Sequence, residues 1–207
     1  IYRNSATTNF GTSSQRRLKH EGGNFRRKSY IRFDSSSLAG EVDSASLNLN
    51  FIDTGAGSGG TTINWEFEVY GLNDGDPGEN WGEGTINWNN APANDTGSGF
   101  EFLSNATSLG TFDFVGRTAS VNFSSSELVD FLNNDTDGSV SFLLARNTIQ
   151  PNGSNSYVHA IGSSDQTAVA GPSLDVSFFV PEPTSIALWS LFGVLPLGCG
   201  WWRRRKA

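Results

Sequence analysis

Methionine is absent from the 207 residues, and the only cysteine, Cys199, lies close to the end. Residues 1–180 therefore hold neither a disulfide framework nor a thiolate for zinc. Histidine occurs twice, as His20 and His159, and no Gly-x-Ser-x-Gly elbow, phosphate-binding glycine loop or His-Glu-x-x-His pair is present. Charged residues are scarce, at 17%, while the chain carries 24 glycines and many Ser, Thr, Asn and Asp. Such a composition is too rich in turn formers for a helical bundle or coiled coil. Aromatic residues make up 12% of the chain, with six Trp and fifteen Phe, enough apolar area to bury a core and exclude disorder.

The formal net charge is −7. The last 27 residues hold four of the bases and one of the acids, so residues 1–180 carry ten bases against twenty acids, a net of −10. That balance excludes general nucleic-acid binding. Since Ile1 rather than Met opens the chain, it reads as a processed or truncated form, with any N-terminal export signal lying upstream.

Period-two alternation dominates residues 1–180. Residues 29–34, 45–51 and 64–70 alternate apolar with polar side chains, which turns one face to a core and one to solvent. Further strands are expected at 15–20, 109–115, 119–123, 140–146, 157–161 and 174–180, separated by loops of Gly, Asn, Asp and Ser. The pattern predicts an all-β fold, an antiparallel sandwich or jelly roll. One short helix interrupts it: Ser124 to Glu127 fits a capping box, and Leu128, Phe131 and Leu132 fall on one helical face.

Beyond residue 179 the character changes. Pro181-Glu182-Pro183 is a stiff break, followed by the uncharged run 186–202 and then Arg203, Arg204, Arg205 and Lys206. Seventeen helical residues span roughly 25 Å, the short end for a bilayer crossing. A transmembrane helix over 186–202 is expected, with the terminal cations on the cytoplasmic side and the sandwich outside.

Eight of the ten bases in residues 1–180 precede position 33. Alternation puts Arg17 and Lys19 on one face of their strand, and Arg32 on the polar face of the next. If the two strands are neighbours, Arg17, Lys19, Arg27, Lys28 and Arg32 share one surface suited to carboxylates or sulfates. The bland alternative pairs these cations with the acidic remainder of the surface. Trp65 belongs to a strand face with Phe67 and Val69 and reads as core, while Trp81 and Trp88 read as structural plugs. Tyr30 and Tyr157 remain as aromatic ligand contacts. Asp74, Asp76 and Glu79 offer hard oxygen donors for calcium, as do Asp135 and Asp137, although each cluster supplies too few oxygens alone and turn chemistry explains both. A lyase using His20 or Tyr157 as base, with Arg17 or Lys19 neutralising a uronate, is the weakest alternative.

Two resemblances follow. Pro181-Glu182-Pro183, the apolar run and Arg203 to Lys206 together resemble a PEP-CTERM sorting signal over residues 180–207. That likeness implies a Gram-negative exported protein, anchored in the inner membrane and then cleaved by an exosortase near Pro181 to Pro183. The expected setting is the cell surface or the exopolysaccharide matrix. Residues 1–179 resemble the DNRLRE, or disaggregatase-related, domain family. Asn9-Phe10-Gly11, Arg27 to Asp34, Ala45 to Leu49, Val69-Tyr70, Trp81-Gly82-Glu83, Ile86 to Pro92 and Pro172 to Val176 carry that likeness. It implies a non-catalytic module that binds extracellular polysaccharide, and the basic patch points to an anionic, uronate-rich one. A structural surface or matrix component without glycan binding is the competing reading. The stretch His159 to Asp165 departs from the family by lacking a Ser-Arg/Lys-Glu triplet.

Overall fold

The computed structural model describes residues 1–54, 63–150 and 157–180. Among them lie strands β1 (Gln15–Leu18), β2 (Ser29–Asp34), β3 (Val42–Ile52), β4 (Asn64–Leu72), β5 (Ala106–Val115), β6 (Ala119–Phe123), β7 (Ser139–Arg146), β8 (His159–Gly162) and β9 (Ser173–Phe178). One α-helix, α1 (Ser126–Asn133), precedes β7, and a single 3₁₀ turn spans Arg3–Ser5. The first sheet runs β1-β8-β3-β6, with β9 also paired to β3, and the second runs β2-β7-β4-β5. Every pairing is antiparallel, giving the all-β sandwich with one short helix that the alternation predicts. The expected span 186–202 and the sorting signal lie outside the described residues. Among the described residues no helix is long and apolar enough to cross a membrane.

The central strands show why the sequence folds this way. Ala45, Leu47, Leu49 and Phe51 of β3 are buried against Trp65, Phe67 and Val69 of β4, each large side chain contributing about 1.5–3 kcal/mol. The alternate residues of β3 face out into a polar ladder, with Asn48 donating to Asp175 at 2.8 Å and Ser120 to Asn50 at 2.8 Å. Strand β7 differs, because Val140 to Arg146 are all buried. Val140, Phe142 and Leu144 enter the core between the sheets, whereas Leu143 lies in a second apolar cluster with Tyr30, Leu72, Ala91 and Ala93. Residues 73–105 supply the cover for that outer face, through Trp81, Ile86 and Phe102.

Helix α1 begins one residue later than the capping box predicts. Ser125 is the N-cap, its Oγ accepting from Leu128 N at 3.0 Å, and the Ser124/Glu127 reciprocal pair does not form. Leu128 and Leu132 are buried. Phe131 lies so close to β4 that a Cβ on Gly71 would approach its ring to 2.5 Å, so the close approach demands glycine there.

At one end of the core the apolar face of β7 finishes in a fully buried arginine. Arg146 packs over the Trp65 ring at 4.5 Å and donates to the carbonyls of Thr148, Tyr157 and His20 at 3.1, 2.7 and 3.0 Å. Its Nη1 also meets His159 Nδ1 at 3.0 Å, while His159 Nε2 meets the Gly116 carbonyl at 3.1 Å. An arginine can only donate, so His159 is the neutral tautomer with its proton on Nε2. Burial, then the Arg146 charge, pull His159 down to about 4. The unfolded chain binds this proton below its ordinary value of 6.5, so stability is complete above that value and is lost as pH falls towards 4. Chemical denaturation across this window should therefore lose on the order of 3 kcal/mol to this one group, and His159→Gln should flatten that slope.

Candidate functional site

Asn9 ties the N-terminal segment to the cover. Its side-chain amide donates to the carbonyls of Glu83 and Ile86, both at 2.7 Å, while its oxygen accepts from Gly11 N. A Cβ on Gly11 would lie 2.4 Å from the Glu83 carbonyl oxygen, so the Asn9-Phe10-Gly11 motif permits the contact. Between this tie and the edges of β1 and β2 opens a cavity of about 350 Å³, lined by Tyr2, Phe10, Arg16, Arg17, Arg27, Tyr30, Trp81 and Glu83 among others.

The five expected cations do not share this surface. Arg17 and Arg27 line the cavity. Burial, followed by the charge of Arg27, holds the Arg17 guanidinium below its ordinary range. Neither forms an ion pair among the described residues, and Arg27 Nε is buried without a hydrogen-bond partner. Lys19 is buried and paired to Glu21 at 2.9 Å. Arg32 does not line the cavity but packs on the cover, its guanidinium 5.4 Å from the Trp81 ring and donating to the Trp81 carbonyl at 2.5 Å.

Lys28 is fully buried. Its ammonium donates to Asn94 Oδ1 at 2.9 Å, the Asp95 carbonyl at 3.0 Å and the Glu101 carbonyl at 2.5 Å, and lies 4.7 Å from the Phe102 ring centre. Three donors meet three oxygens, so the sequence places a structural pin here, not a ligand contact. Burial, opposed by Asp95, lowers its pKa to about 7.

Of the aromatic expectations, Tyr30 reaches the cavity wall, although its hydroxyl is committed to the Pro92 carbonyl at 2.9 Å and burial raises its pKa well above the usual value. Tyr157 lies against Trp65, with ring centres 5.2 Å apart, away from the cavity. Trp65 and Trp88 are interior. Trp81 plugs the outer sheet face, donating from Nε1 to Ser141 Oγ at 2.9 Å. His20 donates from Nδ1 to the Asn147 carbonyl at 2.8 Å and packs on Phe100 outside the cavity, so the base and neutraliser of the lyase alternative are not assembled.

Sequence reasoning missed Tyr2, Phe10, Arg16 and Glu83. Alternation puts Arg16 with Leu18, yet Arg16 turns out at the cavity rim, ion-paired to Glu83. Tyr2 precedes any periodic segment, and Phe10 is visible only as part of its motif.

The two acidic turns, separate in sequence, meet in space. Carboxylate oxygens of Asp74, Asp135 and Asp137 lie within 4.8 Å of one another. Asp76 instead accepts from Gly78 N and Asn105. Glu79 is buried and accepts from Gly75 N at 3.0 Å, and burial followed by Asp137 raises its pKa to about 7. One oxygen from each of the three carboxylates is fewer than calcium takes, so second carboxylate oxygens, carbonyls or water would have to complete a shell.

This architecture is that of a small β-sandwich module with a cationic cleft at the sheet edge. The sequence model of carbohydrate-binding module family 96 matches residues 2–150, and the chain belongs to that family. Strands β8 and β9 lie beyond the matched region but complete the first sheet. Comparison with curated proteins finds no match. Among solved structures, recombinant latent aurone synthase, a polyphenol oxidase, is similar at 13% identity with a TM-score of 0.36, covering 86% of this chain and 30% of that one. The same enzyme from its natural source is similar at 11% identity with a TM-score of 0.35, covering 77% and 27%. The chain thus spans under a third of those enzymes.

Exchanging the pin and a cleft cation separates their roles. Lys28→Met should cost about 2–4 kcal/mol by stranding three oxygens, whereas Arg17→Ala should stay within about 0.5 kcal/mol; urea denaturation of both variants checks the difference.

Proposed function

We propose that this chain is an exported, non-catalytic module that binds an anionic, uronate-containing extracellular polysaccharide through the cleft between Arg17 and Arg27. The observation that carries this reading is the pair of guanidiniums lining one cavity without an ion-paired carboxylate among the described residues. A uronate carboxylate accepts two parallel N–H bonds from such a fork. It also relieves the mutual repulsion that the two cations exert in an acidic protein. Family membership supports a carbohydrate ligand, and the charge of the cleft selects its class.

Delivery rests on the tail. Pro181-Glu182-Pro183, the apolar run 186–202 and Arg203 to Lys206 fit a sorting signal that an exosortase processes at the inner membrane of a Gram-negative cell. The module would then be left at the surface or in the matrix.

At low salt, alginate or polygalacturonate gels should retard the protein and neutral glucan gels should not. Arg17→Ala and Arg27→Ala should each weaken retention about tenfold or more. No retention by any polyuronate would leave the structural matrix reading in place. Replacing Pro181-Glu182-Pro183 in the exporting cell should leave uncleaved protein in the membrane fraction, and unchanged processing would refute the sorting assignment.

A further inference from the structure

Resting on the cleft reading above, we infer that Phe10, Tyr2 and Phe25 form an aromatic track that carries the glycan out of the cleft, so that the module recognises a run of sugar rings instead of one uronate. Phe10 and Phe25 are 41% and 44% exposed, unusual for rings of this size in a chain whose other phenylalanines mostly serve the core. Tyr2 sits between them, 6.2 Å from Phe10 with the two rings edge to face at 60°, and 6.4 Å from Phe25 with the rings near parallel at 30°. Phe10 and Tyr2 line the cavity and Phe25 lies beyond it, so the row begins inside the charged site and continues past its edge.

The row is held in place by polar groups. Arg27 packs over the Tyr2 ring at 4.0 Å and Lys19 over Phe25 at 5.3 Å. The backbone N–H of Phe25 donates to Glu21 Oε1 at 2.7 Å, and the Tyr2 and Arg27 backbones form a bridge. Phe10 and Phe25 supply the exposed apolar surface, at little entropic cost, while the half-buried Tyr2 links them. A partner suited to them must present carboxylates to Arg17 and Arg27 and apolar C–H faces to the rings, at spacings of one ring each. A pyranose chain of uronates does both, and a protein segment would not repeat the pair.

The two contributions separate by salt. Carboxylate contacts weaken with ionic strength, whereas ring contacts do not. Calorimetry with alginate-derived di- and hexasaccharides tests the track. Phe25→Ala should lower hexasaccharide affinity about five- to tenfold while leaving the disaccharide affinity and the salt slope unchanged. Phe25→Tyr should restore the affinity, and Phe25→Leu, which keeps the packing on Tyr2, should not. Arg17→Ala should reduce both affinities and the salt slope. Hexasaccharide binding unaffected by Phe25→Ala and Phe10→Ala, but cut by Arg17→Ala, would overturn the track and leave the cleft. Absence of binding by the unmodified protein would overturn both.

Discussion

The cleft exists because residues 73–105 are held against the outer face of the second sheet, and the tie that reaches deepest is the ammonium of Lys28. A long polar loop has no reason to lie flat on a sheet unless its own carbonyls are satisfied. Lys28 satisfies two of them and the Asn94 side chain from inside the protein. Tyr30 does the same for Pro92, and Trp81 closes on Ser141. With the loop fixed, Trp81 and Glu83 become the wall facing Arg17 and Arg27. Burying one amine thus positions the site without entering it.

Electrostatics divides the basic N-terminal segment by task. Lys28, like Arg146 of β7, is desolvated and spends its donors on protein oxygens. Lys19 and Arg16 are neutralised by Glu21 and Glu83. What remains in the cavity is Arg17 beside Arg27, two like charges in a module of strongly acidic balance. Counting charges along the chain conceals this remainder, because the sum mixes buried, paired and uncompensated groups. Only the last kind offers an anion a net gain in binding.

Much of the sandwich was legible in the sequence because one face of each strand is wet. Alternation located β2, β4 and β6 to within about two residues, the usual uncertainty of an element's ends. It also made Trp65 an interior residue. The cover could not be read that way, since residues 73–105 have no period and their role depends on β7 being buried on both faces. The same limit broke up the expected cationic surface. Lys28 and Arg27 are neighbours in sequence on opposite sides of a strand entry, so one is a pin and the other lines the cleft. The merging of the Asp74 turn with Asp135 and Asp137 is a tertiary event between segments some sixty residues apart, which no local pattern announces.

The most direct measurement is the position of a bound uronate oligosaccharide, by backbone and arginine side-chain NMR shifts on titration or by a structure of the complex. The expected result places a carboxylate between the Arg17 and Arg27 guanidiniums, with Trp81 perturbed and the Asn48 and Asn50 face of the first sheet unchanged. Shifts confined to that polar sheet face, with both arginines silent, would contradict it.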